Sequence, residues 1–463
     1  MPLAAPILPI IGPLIASFIA LLLGRWPRAR TLSGVIAAFI LAGWIASLSL
    51  GNGPTGDNSL FVGDTWLLVG RPLTLTEQLQ DLLVFLWIGL GILFLLALIF
   101  PQDPTFVPAA LAAFSPLAAM LLVQLFAFGA VLLIIAVALL IMTYKPQRAQ
   151  KTYGALRYLL FFALTLPLLL FAGWLFESRQ ATFFSPFVIR VLALAFALML
   201  AGFPFYMWVY PLVAEAPFLV PALIFGLAQT AVITFIFSVL RANPWLQQDP
   251  QFQLWLRWSG VGTVLVATLL IFTAAQWRFL LGHLLLFNMG MAVLTLTLSQ
   301  PDAWEVAIMA HVARFASLLM AGGAISLLQR HRQAPTIAGS RGLGRRSPLG
   351  VALLAYAFFS LVGTPLTLGF FSQWAIITGI GHQANIWLSI LLVLGLAVSV
   401  YAVLRALIVP FEGRENEKES QDTRDPRWLD GLIAVLLLLA VILALFPQPL
   451  LATVSRLAGI TNG

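Results

Sequence analysis

Residues 349–379 read LGVALLAYAFFSLVGTPLTLGFFSQWAIITG, an apolar run interrupted at Gly363-Thr364-Pro365. About 20 residues cross a bilayer core as a helix, so this run is too long for one straight span. Proline cannot donate a backbone hydrogen bond, and it leaves a carbonyl free inside the membrane. Irregular backbone at that depth is tolerated only against protein or a wet cavity. The stretch therefore predicts a broken transmembrane helix, with Gly363 and Pro365 at the break.

Working outward, comparable apolar runs fall near 3–24, 31–50, 81–100, 105–123, 125–143, 155–176, 186–209, 218–240, 258–276, 279–298, 305–328, 386–410 and 430–455. The stretch 105–143 is divided by a tight hairpin near Gln124. The expected fold class is all-α, a polytopic transmembrane bundle of about fourteen helices. Composition agrees: 61% of the 463 residues are hydrophobic and 9% charged, against roughly 25% charged in soluble domains. There is no cysteine and there are four histidines. Disulfides, iron–sulfur ligation and thiol chemistry are thereby excluded, and no metal or other cofactor is expected. Leu3–Leu23 reads as a retained first span rather than a cleaved signal.

The net charge of +8 suggests orientation rather than nucleic acid, because the basic residues sit in short loops between spans. Arg25, Arg28 and Arg30 follow the first span, Lys145, Arg148 and Lys151 the fifth, and Arg330, Arg332, Arg341, Arg345 and Arg346 the eleventh. These exits share one side, predicted to be cytoplasmic. Loop 51–80, with Asp57, Asp64 and Glu77, lies opposite, and both termini face the periplasm or exterior of a bacterial inner membrane. Gly342-Leu343-Gly344 has no flanking strand, so no nucleotide loop is read there.

Four segments, in order, resemble the antiporter-like membrane subunits of complex I and of Mrp-type cation/proton antiporters. They are Pro204-Phe205-Tyr206-Met207-Trp208-Val209 with Glu215-Ala216-Pro217; Arg278, Leu280, Leu281, Met289 and Gly290; His311 through Gly323; and Gly363 through Trp374. Ala155-Leu156-Arg157-Tyr158, and Tyr401 with Arg405, are smaller echoes. The spacing from Pro217 to Gln229 is most similar to the N-type subunit of complex I, and the resemblance covers residues 80–410. It implies a single membrane domain over 1–463. Residues 1–103 would hold three N-terminal spans, 104–240 and 257–410 two inverted five-helix repeats, 411–429 a polar cytoplasmic loop, and 430–463 the last span. Broken helices would fall at spans seven and twelve, the former marked by Pro204 and Pro217.

In that family, ions move along buried lysines and glutamates at the membrane midplane. A charge there costs at least a few kcal/mol, so it is retained only for function. Here that row is missing. The three lysines, Lys145, Lys151 and Lys418, all lie in loops. No Asp or Glu occurs between Asp103 and Glu177 or between Glu305 and Glu412, and the acids of 178–301 are Glu215 and Asp249, at connections. The resemblance places the family's lysines on Gln229, Phe315 and Gln373. Glutamine bonds water but does not exchange a proton at neutral pH.

The remaining polar groups within spans are sparse. His283, Asn288, His311 and Arg314, together with Gln229 and Gln373, form the candidate residual proton path. His311 and Arg314 share one helical face, being three apart. Histidine can relay protons, whereas arginine suits a fixed electrostatic role or a partner contact; helix-bridging by these polar side chains is the plain alternative. Arg405 is read as bridging helices or meeting lipid headgroups. The expected function is a divergent, non-catalytic subunit of a complex-I-type NAD(P)H/quinone oxidoreductase, with reduced pumping or a structural role. Its partners would be other membrane-arm subunits and lipid, with no quinone contact in this chain. A subunit of an Mrp-type antiporter or of a hydrogenase-like energy-converting complex is the alternative.

Overall fold

The computed structural model describes residues 4–48, 65–68, 70–123, 125–144, 153–178, 185–298, 302–331, 336–383, 385–413 and 427–458. Gln124, the loop residues Lys145, Arg148, Lys151, Asp57 and Asp64, Arg332, and most of the polar loop with Lys418 lie outside them. Among the described residues, nine helices are long and apolar enough to cross a membrane, and five shorter apolar helices accompany them. The two sets together give each of the fourteen apolar runs its helix.

In chain order, with three further helices (α8, α14 and α17) beside the fourteen, they are α1 (Ile7–Leu22), α2 (Pro27–Ala46), α3 (Glu77–Ile99), α4 (Phe106–Leu122), α5 (Phe126–Ile141), α6 (Tyr153–Glu177), α7 (Ser185–Met199), α8 (Val209–Glu215), α9 (Leu219–Ala242), α10 (Pro250–Ile271), α11 (Trp277–Thr295), α12 (Asp302–His331), α13 (Pro348–Val362), α14 (Phe370–Gln383), α15 (Ile386–Ile408), α16 (Arg427–Leu445) and α17 (Gln448–Ala458). The chain divides into two compact units. One comprises Met1–Ala195, Leu223–Leu246 and Ser455–Gly463; the other comprises Phe196–Ala222 and Gln247–Val454.

In the first unit, large apolar side chains such as Leu14, Phe18 and Leu22 are exposed, as lipid-facing surfaces require. Small and aromatic residues mediate the helix contacts instead. Gly34 admits Val107 and Phe94 so closely that a Cβ there would lie 2.5 Å from Val107. Phe94 in turn meets Phe106 edge-on at 6.2 Å. Gln80 of α3 donates to the carbonyls of Ile45 and Leu48 at 2.7 and 2.8 Å, satisfying groups at the end of α2 that have no helical partner. A short antiparallel hairpin pairs β1 (Thr65–Leu68) with β2 (Arg71–Thr74) in the register Thr65↔Thr74 to Leu68↔Arg71. α9 is nearly all buried, and its turns over Ala222–Ala228 widen to a π-helix before regular α-helix resumes at Gln229.

In the second unit, α10 and α11 pack backbone to backbone. A Cβ on Gly290 would stand 2.9 Å from the carbonyl oxygen of Gly260. Close approach through small residues replaces the hydrophobic driving force that lipid does not supply. α13 ends at Gly363, which adopts φ +88, and the chain resumes as α14 at Phe370. α8 follows an irregular stretch that includes the cis Phe203–Pro204 peptide.

Candidate functional site

The break between α13 and α14 is where polar groups gather. In an unbroken helix the carbonyl of Leu361 would accept from residue 365, but residue 365 is proline and has no N–H to give. Asn288 of α11 fills that role: its side-chain amide donates to the Leu361 carbonyl at 3.1 Å. Arg314 of α12 holds Asn288 in place, donating from Nε to Asn288 Oδ1 at 2.5 Å and from Nη2 to the Asn288 carbonyl at 3.2 Å. The guanidinium is 1% exposed. Among the described residues it has no carboxylate partner, and its Nη1 makes no hydrogen bond. Along the sequence the nearest acids are Glu305 and Glu412.

One turn further along α12, Ser317 donates to Ser360 at 2.8 Å, and Ser360 accepts from the backbone N–H of Gly369 at 3.2 Å. This chain of bonds ties the two halves of the broken helix together. Gln373 of α14 is fully buried against Gly363, where a Cβ would fall 2.3 Å from Gln373 Cγ. Neither polar atom of its amide has a hydrogen-bond partner among the described residues. His311, also fully buried, lies one turn before Arg314. Its Nδ1 is 2.8 Å from the Ala307 carbonyl, which can only accept. That bond assigns the ring proton to Nδ1 and leaves Nε2 as an acceptor without a protein donor among the described residues.

His283, five residues before Asn288 on α11, is set apart from this cluster. It is buried and stacks on Tyr210 with ring centres 5.2 Å apart. Gln229 is buried in the first unit, at the end of the π-helical turns. Pro217 ends α8 after Glu215-Ala216, and here the sequence reading missed a partner. Arg278 donates from Nη1 to the Ala216 carbonyl at 3.1 Å, placing positive charge at the negative end of a helix. A lone arginine beside Trp277, opening an otherwise apolar span, was the available signal. At the other interruption, the Phe203 N–H donates to Thr263 Oγ1 at 2.7 Å and the Phe203 carbonyl accepts from Ser259 at 3.0 Å. Pro204 thus follows a residue whose backbone groups are both satisfied.

Chemically, this layer is rich in hydrogen bonds and poor in exchangeable protons. Arginine stays charged, and serine, asparagine and glutamine do not titrate near neutrality. In the α13–α14 cluster, His311 supplies the one imidazole ring among the described residues.

Apolar helices throughout, two of them interrupted at glycine and proline and mended by polar side chains, define a multi-pass membrane protein with discontinuous spans. The chain belongs to the NADH:quinone oxidoreductase/Mrp antiporter transmembrane family, whose profile matches residues 117–399. It is 29% identical over 280 residues to NADH-quinone oxidoreductase subunit N of Ectopseudomonas mendocina, a match spanning 58% of this chain and 55% of that protein. The chain thus spans about half the length of that curated relative. Its fold is similar to a chain of the membrane-bound sulfane sulfur reductase, an archaeal respiratory membrane complex, with TM-score 0.78, 16% identity, and 98% and 97% of the two chains covered. It is equally similar to a chain of the Mrp complex of a Dietzia species, with TM-score 0.78, 16% identity, and 98% and 96% covered.

Proposed function

We propose that this chain is an antiporter-like, N-type membrane subunit of a complex-I-type oxidoreductase that has given up most of its own proton relay. Redox chemistry would reside in partner subunits, and this chain would hold no cofactor. The observation that carries the reading is the replacement of titratable midplane groups by a fixed hydrogen-bonded layer. The family's lysine positions fall on Gln229, Phe315 and Gln373, no acid lies within spans six to thirteen away from their connections, and Arg314 is committed to Asn288. The supporting organisation is a pair of inverted five-helix repeats, spans four to eight and nine to thirteen, with basic loops on the cytoplasmic side and both termini opposite.

In this reading, Arg314 and Asn288 hold a broken helix shut rather than pass ions. The fold is retained as a mechanical and packing element beside other membrane-arm subunits. Two measurements test it. Extraction in mild detergent should bring down flavin- and iron–sulfur-containing partners; a monodisperse lone chain would refute the complex. In inverted vesicles holding the assembled complex, His311→Ala should leave the protons pumped per electron unchanged. A clear fall in that ratio would restore the relay to this subunit.

A further inference from the structure

Three connections of the second unit converge on a cavity of about 290 Å3: the α10–α11 turn, the segment after α12, and the end of α15. Phe272, Ala275, Ile337, Arg341, Arg405 and Val409 are among its walls. The loops are mutually bonded, with Ile337 N–H donating to the Ala275 carbonyl at 2.9 Å and Gln276 bridged to Thr336. The cavity is therefore built into the fold rather than a chance gap. It sits at the ends of spans, where the hydrocarbon gives way to headgroups.

We infer that this cavity binds the phosphodiester headgroup of an anionic phospholipid, held by Arg405 and Arg341. Charge supports that occupant. Arg341 donates from Nε to Glu412 at 2.9 Å, which orients its guanidinium and leaves Nη1 and Nη2 without partners among the described residues. Arg405 has neither an ion pair nor a hydrogen bond among the described residues. Two guanidinium groups and one carboxylate carry a net single positive charge, which one phosphodiester neutralises. Shape supports a lipid over a soluble phosphate. Tyr401 lies one helical turn before Arg405, on the same face. It is exposed and meets the exposed Phe272 ring at 6.4 Å. Below the charges, the wall is therefore apolar and open toward lipid, where an acyl chain would lie. Clustered arginines at a bilayer surface each contribute about a five-fold gain in affinity for anionic lipid.

The test uses the full-length protein in nanodiscs, with native mass spectrometry counting the lipids that stay bound after release. The wild type should retain phosphatidylglycerol in preference to phosphatidylcholine. Arg405→Gln should lower that retention about five-fold, and the Arg341→Gln/Arg405→Gln pair about thirty-fold. Arg405→Lys should keep most of it, and Arg345→Gln, exposed and outside the cavity wall, should keep all of it. Equal retention of the two lipids by the wild type would overturn the inference, and that comparison needs no variant to fold. Wild-type retention in the double variant would overturn it too. Displacement of the bound lipid by millimolar inorganic phosphate would reassign the cavity to a soluble anion.

Discussion

Replacing Asn288 with leucine should destabilise the protein far more than its size suggests, and removing Arg314 as well should recover part of the loss. Leucine keeps asparagine's branched four-atom skeleton while losing its donor and acceptor, so the change is mainly electrostatic. It deletes the donor to the Leu361 carbonyl, worth about 1 kcal/mol, and the acceptor for Arg314 Nε, worth about 2 kcal/mol as a bond to a charged group. It also leaves a fully buried guanidinium with one hydrogen-bonded nitrogen fewer, in a region where orphaned charge is costly. A loss of about 3 kcal/mol is expected for Asn288→Leu. Arg314→Met alone removes the charge and orphans only Asn288 Oδ1, for about 1 kcal/mol. In Asn288→Leu/Arg314→Met no orphaned charge remains, so the double variant should be more stable than Asn288→Leu alone, with a coupling of about 2 kcal/mol. Thermal unfolding of the purified chain in one detergent, followed by size-exclusion fluorescence, ranks the three variants. Additive penalties, or an unaffected Asn288→Leu, would refute the view that Arg314 acts by orienting Asn288 on the broken helix.

Other changes probe the breaks. Gly363→Ala should cost about 2 kcal/mol or more, since its φ of +88 and the Gln373 side chain both oppose a Cβ. Adding Gln373→Ala should relieve only the steric part, as seen in the yield of monodisperse protein. Thr263→Val removes the nearer of two acceptors of the Phe203 N–H, leaving the Ser259 carbonyl at 3.2 Å, and should lower stability by about 1 kcal/mol or less, while Thr263→Ser should not. Arg278→Met should cost about 1 kcal/mol by uncovering the Ala216 carbonyl. Lysine at 278 should restore most of that in the same melting assay.

Much of the architecture was legible in the sequence because a bilayer is a demanding solvent. Each apolar run of about 20 residues has one way to bury its backbone polar groups, so counting runs counts helices. Gly363 and Pro365 announce an interruption because the backbone chemistry of glycine and proline is local. The site was legible in part. His311, Arg314 and Arg278 stood out as polar or charged residues in apolar spans, whereas Ser317 and Ser360 did not, and the partners of Ser317 and Arg278 lie 43 and 62 positions away. The π-helical turns of α9 were also invisible, since no local pattern separates them from a regular helix.

The sequence alone determined the class of molecule, the number of apolar runs, and the scarcity of acids and lysines within them. These follow from composition along the chain and need no partner. Only the tertiary structure decided what Pro365 does with the carbonyl it frees. A missing N–H is a property of one residue. The donor that replaces it, Asn288 steadied by Arg314, comes from two other helices, and packing alone brings them there.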